Sequence, residues 1–357
     1  MCVFLLQRVQ QMNSNIAVLL TQDALINGAI YALLALTLVM VFSVTRVMLI
    51  PQGEVVSLTA LSLAAIETGG VPGTVWLLCI GGALSALMEL YDWFRNRDPR
   101  ALRAAFFYVA YPLAVTALAW TTVPLATSAW YRMALTLLIV VPLGLMIYRV
   151  AFRPLAHASV LVLLIVAMAV HFILLGFGLI AFGAEGVRTA PIFSGVIRIA
   201  GFPIKAQAIF VITVAAVLIV VMALFFGRTL IGKALRATAF NRTGARLVGI
   251  RTESSGTLAF FLAGLIGAIS GLLIAPMTTI YFDTGFLIGL KGFIASIVGG
   301  LASYPLAAGS ALLIGLIESY SSFWASAFKD VIVFALIIPV LLWRNYYGAA
   351  HVEEEDE

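Results

Sequence analysis

Residues 158–182 and 207–226 contain no Lys, Arg, Asp or Glu. Each run is near the ~20 apolar residues with which an α-helix crosses a ~30 Å hydrocarbon layer. Inside such a layer only a helix or a closed barrel satisfies its own backbone polar groups. Just past the second run lies the one long, strongly basic stretch of the chain, GKALRATAFNRTGARLVGI at 232–250, with Lys233, Arg236, Arg242 and Arg246 among Leu235, Leu247 and Val248. A segment this polar between apolar runs cannot lie in hydrocarbon, so it faces water or another protein. The chain therefore alternates between lipid and water.

Composition agrees. The sequence is 63% hydrophobic and 10% charged, where soluble domains carry about 25% charged residues, and its mean hydropathy is +1.10. This is an all-α polytopic membrane protein, read as a single transmembrane domain over 1–357. The net charge of +5 is the kind of loop Lys and Arg excess that orients membrane proteins, so no nucleic-acid partner is expected. Cys2 and Cys79 stand far apart with no neighbours at metal-ligand spacing, so neither a disulfide framework nor a zinc site is expected, and Cys79 reads as a small apolar helix residue. The N-terminus, MCVFLLQRVQQMNSN, lacks the pattern of a signal peptide.

Taken in order, the apolar runs number eleven: 16–44, a second beginning near 51, a third ending near 90, then 104–121, 133–148, 158–182, 207–226, 258–276, 290–301, 306–323 and 331–343. About 11 candidate transmembrane helices follow, the first long and the ninth and eleventh short. Tyr91, Trp93, Trp120, Trp130 and Tyr131 mark interfaces. The stretch PIFSGVIRIAGFPIKA suits a short extramembrane strand pair. The end, 346–357, is an acidic C-terminal tail. With the basic segment placed inside, alternation also places inside Arg46, the arginines at 95, 97, 100 and 103, Arg149, Arg153 and Arg344. That leaves the minority of Lys and Arg outside, predicting an outside N-terminus and a cytoplasmic C-terminus.

Few residues offer chemistry. MLIPQGE is a broken-helix candidate, because Pro51 removes an amide donor, Gly53 loosens the helix, and Glu54 is expensive in lipid unless it faces protein or water. Glu54 is read either as a transport group or as a partner for a freed backbone amide. Gln52, Gly53 and Glu54, with Lys291 and Glu318, form the tentative substrate path, Lys291 and Glu318 being equally readable as helix-packing groups. The glycines at 264, 267, 271, 309 and 315 suit close helix packing. His157 and His171 are isolated and read as structural, and Ser321 and Ser322 have no base beside them to make a nucleophile. In the basic segment, Asn241 can cap a second short helix and Gly249 suits a C′ position of positive φ. Charge alone would permit the segment to rest on an anionic leaflet or to dock a partner.

The segment resembles the cytoplasmic ATPase-coupling loop of ABC importer permeases for branched-chain amino acids, the LivH type. The likeness continues in INGAIYALLAL and MLIPQGEV, in RVAFRPL, in GLKGFIASIVGGLASYPLAAGSALLIGLIES and in FKDVIVFALIIPVLL, in the family's order. It covers most of the chain outside about 91–130, which reads as a family-atypical insertion of an extra helix pair. The resemblance implies the ABC importer permease fold and a coupling role for 228–252, carried by Gly232, Lys233, Arg236, Asn241, Arg242, Ala245, Arg246 and Gly249, with Ala245–Gly249 as the tightest contact.

It also implies a transport subunit that is not an enzyme, binds no cofactor, and works by ATP and Mg on two cytoplasmic ATPase subunits. The remaining partners would be a second, LivM-like permease subunit, a periplasmic substrate-binding protein and membrane lipid, in a bacterial inner membrane. The chain has no phosphate-binding G-x-x-x-x-G-K-[ST] loop of its own. It departs from the family where Leu49, Ile50, Pro51 and Gln52 replace Asn-Phe-Ala-His before Gly53 and Glu54, which puts substrate specificity in question. An ion-coupled secondary transporter or facilitative channel, with its site at the broken helix, is the alternative. A membrane enzyme or assembly factor is the weaker third, since no acid–base, metal or nucleophile cluster is legible.

Overall fold

The computed structural model describes residues 2–97, 99–125, 128–199, 202–301, 303–340 and 342. The acidic tail, Arg344 and the end of the last apolar run lie outside the described residues. In chain order the helices are α1 (Cys2–Thr45), α2 (Gln52–Glu67), α3 (Thr74–Asn96), α4 (Pro99–Thr122), α5 (Ala129–Ile147), α6 (Val160–Phe182) and α7 (Ala206–Arg228). They continue with α8 (Leu230–Phe240), α9 (Arg242–Leu247), α10 (Thr252–Ile274), α11 (Thr284–Val298), α12 (Tyr304–Trp324) and α13 (Lys329–Ala335). Strands β1 (Val196–Ile199) and β2 (Phe202–Lys205) pair antiparallel with Val196 opposite Lys205, the strand pair expected from the sequence.

The eleven apolar runs fall on α1–α7 and α10–α13. Among the described residues, 8 helices are long and apolar enough to cross a membrane, while α11 is a shorter apolar helix; α2 has 16 residues and α13 has 7. The helix break predicted at MLIPQGE is present. The chain leaves α1 at Thr45, turns through Arg46 at φ 62°, and re-enters a helix at Gln52 with Pro51 as its cap.

The chain divides into two compact units. The larger comprises Met40–Ile192 and Ile219–Leu290. Its centre is α10, which packs on α5 and α2, while α3 pairs with α4. Contact between α5 and α10 is close because both present glycine: a Cβ on Gly144 would fall 2.5 Å from the Phe260 carbonyl oxygen. Around them Val55, Leu78, Leu135, Ile139, Val140 and Ala268 form one buried apolar cluster. At the end of α5 a π-helical turn, Tyr148–Phe152, carries the RVAFRPL motif. Residues 91–130 hold α4 whole together with the last turns of α3, so the helix pair found there begins upstream at Thr74.

The smaller unit comprises Met1–Val39, Phe193–Leu218 and Lys291–Glu357. Here α1 meets α12, and a Cβ on Gly315 would lie 2.5 Å from the Ala24 carbonyl oxygen. The expected packing role holds for Gly264, Gly267, Gly271 and Gly315; Gly309, by contrast, faces open space.

Candidate functional site

The basic segment folds as two short helices. Thr229 caps α8, its Oγ1 accepting from the Gly232 amide at 2.9 Å. Gly232 is buried so close to the end of α7 that a Cβ would sit 2.2 Å from the Phe225 carbonyl oxygen. Asn241 breaks the helix and caps the next one, its Oδ1 accepting from the Gly244 amide at 2.8 Å. At the far end Gly249 has φ 86°, and the amides of Ile250 and Gly249 bond to the carbonyls of Ala245 and Arg246. That is a Schellman close, which requires the left-handed residue that glycine supplies. The cap at Asn241 and the positive φ at Gly249 both match the reading from sequence.

Within this frame the charged side chains point in different directions. Arg242 donates to the Ala156 carbonyl at 3.2 Å, and Arg246 donates from Nε to Thr252 Oγ1 at 3.0 Å, so both tie α9 to neighbouring backbone and helix. Arg236 is exposed, and Lys233 is exposed beside it. Ala245 is buried and seats α9, while Arg246, Leu247, Val248 and Gly249 after it are exposed. Large apolar side chains are among those turned outward: Phe240 is 94% exposed, Leu247 84% and Val248 76%. Exposed aromatic and aliphatic side chains grouped on a basic, well-capped segment are the composition of a docking surface. The sequence reading found the segment but not these outward apolar side chains, because which side of a short helix faces outward depends on what the other side packs against.

The tentative substrate-path residues divide between the units. In the larger one, Gln52, Gly53 and Glu54 are all buried. Gln52 donates from Nε2 to the Ala263 carbonyl at 2.9 Å, joining α2 to α10. Gly53 meets α11: a Cβ there would fall 1.9 Å from the Gly285 carbonyl oxygen. Glu54 lies with its Oε1 3.0 Å from His171 Nδ1, and the His171 ring stacks on Phe286 at 4.5 Å between centroids. The two atoms are within polar contact, yet neither is aligned in a hydrogen bond. His171 had read as an isolated structural histidine; the fold gives it a carboxylate partner from another helix, which no local spacing announces.

Lys291 and Glu318 come together in the smaller unit. Lys291 Nζ lies 2.5 Å from Glu318 Oε1 and 2.9 Å from Asp330 Oδ1. Tyr31 donates to Glu318 Oε2 at 2.6 Å. One buried ammonium thus serves two carboxylates, one of which also holds a phenol. A charge at membrane depth is tolerated when paired in this way, and Tyr31 and Asp330 are members that the sequence reading missed.

A third charged group lies at the RVAFRPL turn. Arg149 Nε is 2.6 Å from Glu89 Oε1 and its guanidinium also reaches Asp92 at 2.6 Å. Arg153 bridges Glu89 and Glu253, each at 3.2 Å. These arginines had been counted as loop charges; they clamp α3, the end of α5 and α10 instead. The i, i+3 spacing of Glu89 and Asp92 on one helix face was a legible signal of it. Among the described residues no three His, Cys, Asp or Glu are grouped as a metal site would need.

Long apolar helices, one break of which is followed by a buried carboxylate, and a capped basic segment between two of them define a multi-pass membrane protein. The comparisons narrow the class. The profile of the family described as branched-chain amino acid transport system / permease component matches residues 20–341, and the chain belongs to that family. It is therefore an ABC importer permease, a transport subunit.

Among similar proteins is the high-affinity branched-chain amino acid transport system permease protein LivH of Escherichia coli (strain K12), 31% identical over 208 residues, 56% of this chain and 67% of LivH. BraD of Pseudomonas aeruginosa, a permease of the same description, is 29% identical over 259 residues, 69% of this chain and 83% of BraD. The autoinducer 2 import system permease protein LsrC of Yersinia enterocolitica is 38% identical over 101 residues, 28% of this chain and 27% of LsrC. No solved structure matches the chain.

Proposed function

We propose that the chain forms half of an import path for branched-chain amino acids or a related small solute in a bacterial inner membrane. A second, LivM-like permease subunit supplies the other half. Two cytoplasmic ATPase subunits, holding ATP and Mg, drive it, and a periplasmic binding protein delivers the solute. The single observation that carries this reading is the α8–α9 surface, with Phe240, Leu247 and Val248 presented outward on a segment fixed by three caps. A rigid element of that kind transmits a push; a loop held to the leaflet by charge alone has no use for it. The orientation that goes with this role keeps 228–252 and the C-terminus on the cytoplasmic side.

The substrate is proposed from the relatives, of which LivH and BraD are named for branched-chain amino acids. The Leu49–Gln52 replacement marks the position at which specificity diverges, since Gln52 there spends its amide on the Ala263 carbonyl.

The test is reconstitution with ATPase and binding proteins in liposomes. Uptake that requires ATP and the binding protein is expected, and uptake by the permease alone on an ion gradient would overturn the reading. The second reading, an ion-coupled carrier, rests on the buried Glu54–His171 pair and is the one that outcome would favour.

A further inference from the structure

We propose that the α3–α4 hairpin binds an anionic phospholipid, one acyl chain lying in the groove between the two helices and the phosphate resting on Arg103. The groove, of about 590 Å3, is lined by Ala86 and Leu90 of α3 and by Leu102, Phe106 and Val109 of α4, with Arg103 as the one charged side chain on its wall. Arg103 stands in the first turns of α4, next to the connection from α3, so the cation sits at the end of the groove nearest the loop.

Arg95 and Arg97, at the end of α3, add two exposed cations to the same connection. Among the described residues none of these three arginines forms an ion pair, in contrast to Arg149 and Arg153, which are held by Glu89, Asp92 and Glu253. A second groove along α4, about 840 Å3 and lined by residues including Tyr108, Leu138 and Leu145, has no charged side chain on its wall.

An apolar channel with Arg103 on its wall, unpaired among the described residues, is complementary to a lipid tail that ends in a phosphate. The connection is on the cytoplasmic side in the orientation proposed above, where each Lys or Arg near an anionic leaflet contributes about 1 kcal/mol. That corresponds to roughly fivefold in affinity per arginine. The expected magnitude rests on that orientation, whereas the groove and its arginine are read from the structure alone, so lipid binding and solute uptake fail in separate assays.

The experiment is native mass spectrometry of the detergent-purified complex titrated with phosphatidylglycerol or phosphatidylcholine. Phosphatidylglycerol is expected to bind more tightly. Arg103→Gln should weaken it about fivefold and weaken phosphatidylcholine less, because choline already neutralises that lipid's phosphate, while Arg103→Lys keeps the preference. Val109→Trp, at an exposed position on the groove wall, should fill the groove and weaken both lipids. Arg103 is exposed and outside the folded core, so an unchanged melting temperature is expected for both Arg103 variants. Equal affinity for the two lipids, or phosphatidylglycerol binding that Arg103→Gln does not alter, would overturn the proposal. So would a cysteine at Phe107 that crosslinks to the second permease subunit, because a protein would then cover the face.

Discussion

His171 Nδ1 lies 3.0 Å from Glu54 Oε1, with both side chains shielded from solvent. Removing one partner of a buried polar pair leaves the other unsatisfied, at about 1–3 kcal/mol, whereas removing both is milder. His171→Ala is therefore expected to lower stability by about 2 kcal/mol, and Glu54→Gln/His171→Ala to recover part of it. Denaturation in detergent of the two singles and the double gives the coupling directly. Additive losses would show that the pair does not act as one.

Lys291 serves Glu318 and Asp330 together. Lys291→Met strands two carboxylates, so it is expected to destabilise more than Asp330→Asn, whose loss leaves the Lys291–Glu318 contact in place; the difference should be on the order of 2 kcal/mol. Thermal melts of the purified variants check the order.

Gly53 has no room for a side chain beside Gly285. Gly53→Ala forces α2 and α11 apart and should cost about 1–3 kcal/mol. If Gly53 were instead a substrate contact with open space around it, uptake would fall while the melting temperature stayed level.

On the docking surface, Phe240→Ala/Leu247→Ala removes exposed apolar area and leaves the caps intact. ATPase co-purification is expected to fall at least tenfold, equivalent to about 1.4 kcal/mol, with an unchanged melt. Ala245→Leu should act differently, unseating α9 because Ala245 is buried.

Gly249→Ala tests the frame itself. A side chain at φ 86° strains the Schellman close by on the order of 1 kcal/mol. ATP hydrolysis is expected to persist while uptake per ATP falls, as seen by parallel phosphate-release and uptake assays on the same liposomes.

Much of this chain was legible as a linear pattern. Runs such as 158–182 had to be helices in lipid, because nothing else satisfies a backbone there. The break before Gln52, the cap at Asn241 and the positive φ at Gly249 followed from local chemistry: a missing amide donor, a short side-chain acceptor and an absent Cβ. What only the tertiary structure decided is which distant groups meet. Glu54 finds His171, Lys291 is shared by Glu318 and Asp330, and Arg149 is taken up by Glu89 and Asp92. It also decided that Ala245 faces inward while Phe240 and Leu247 face outward. Helix formation is set by neighbours within a turn or two, whereas charge pairing and the facing of a short helix are set by helices that the chain brings alongside only after folding.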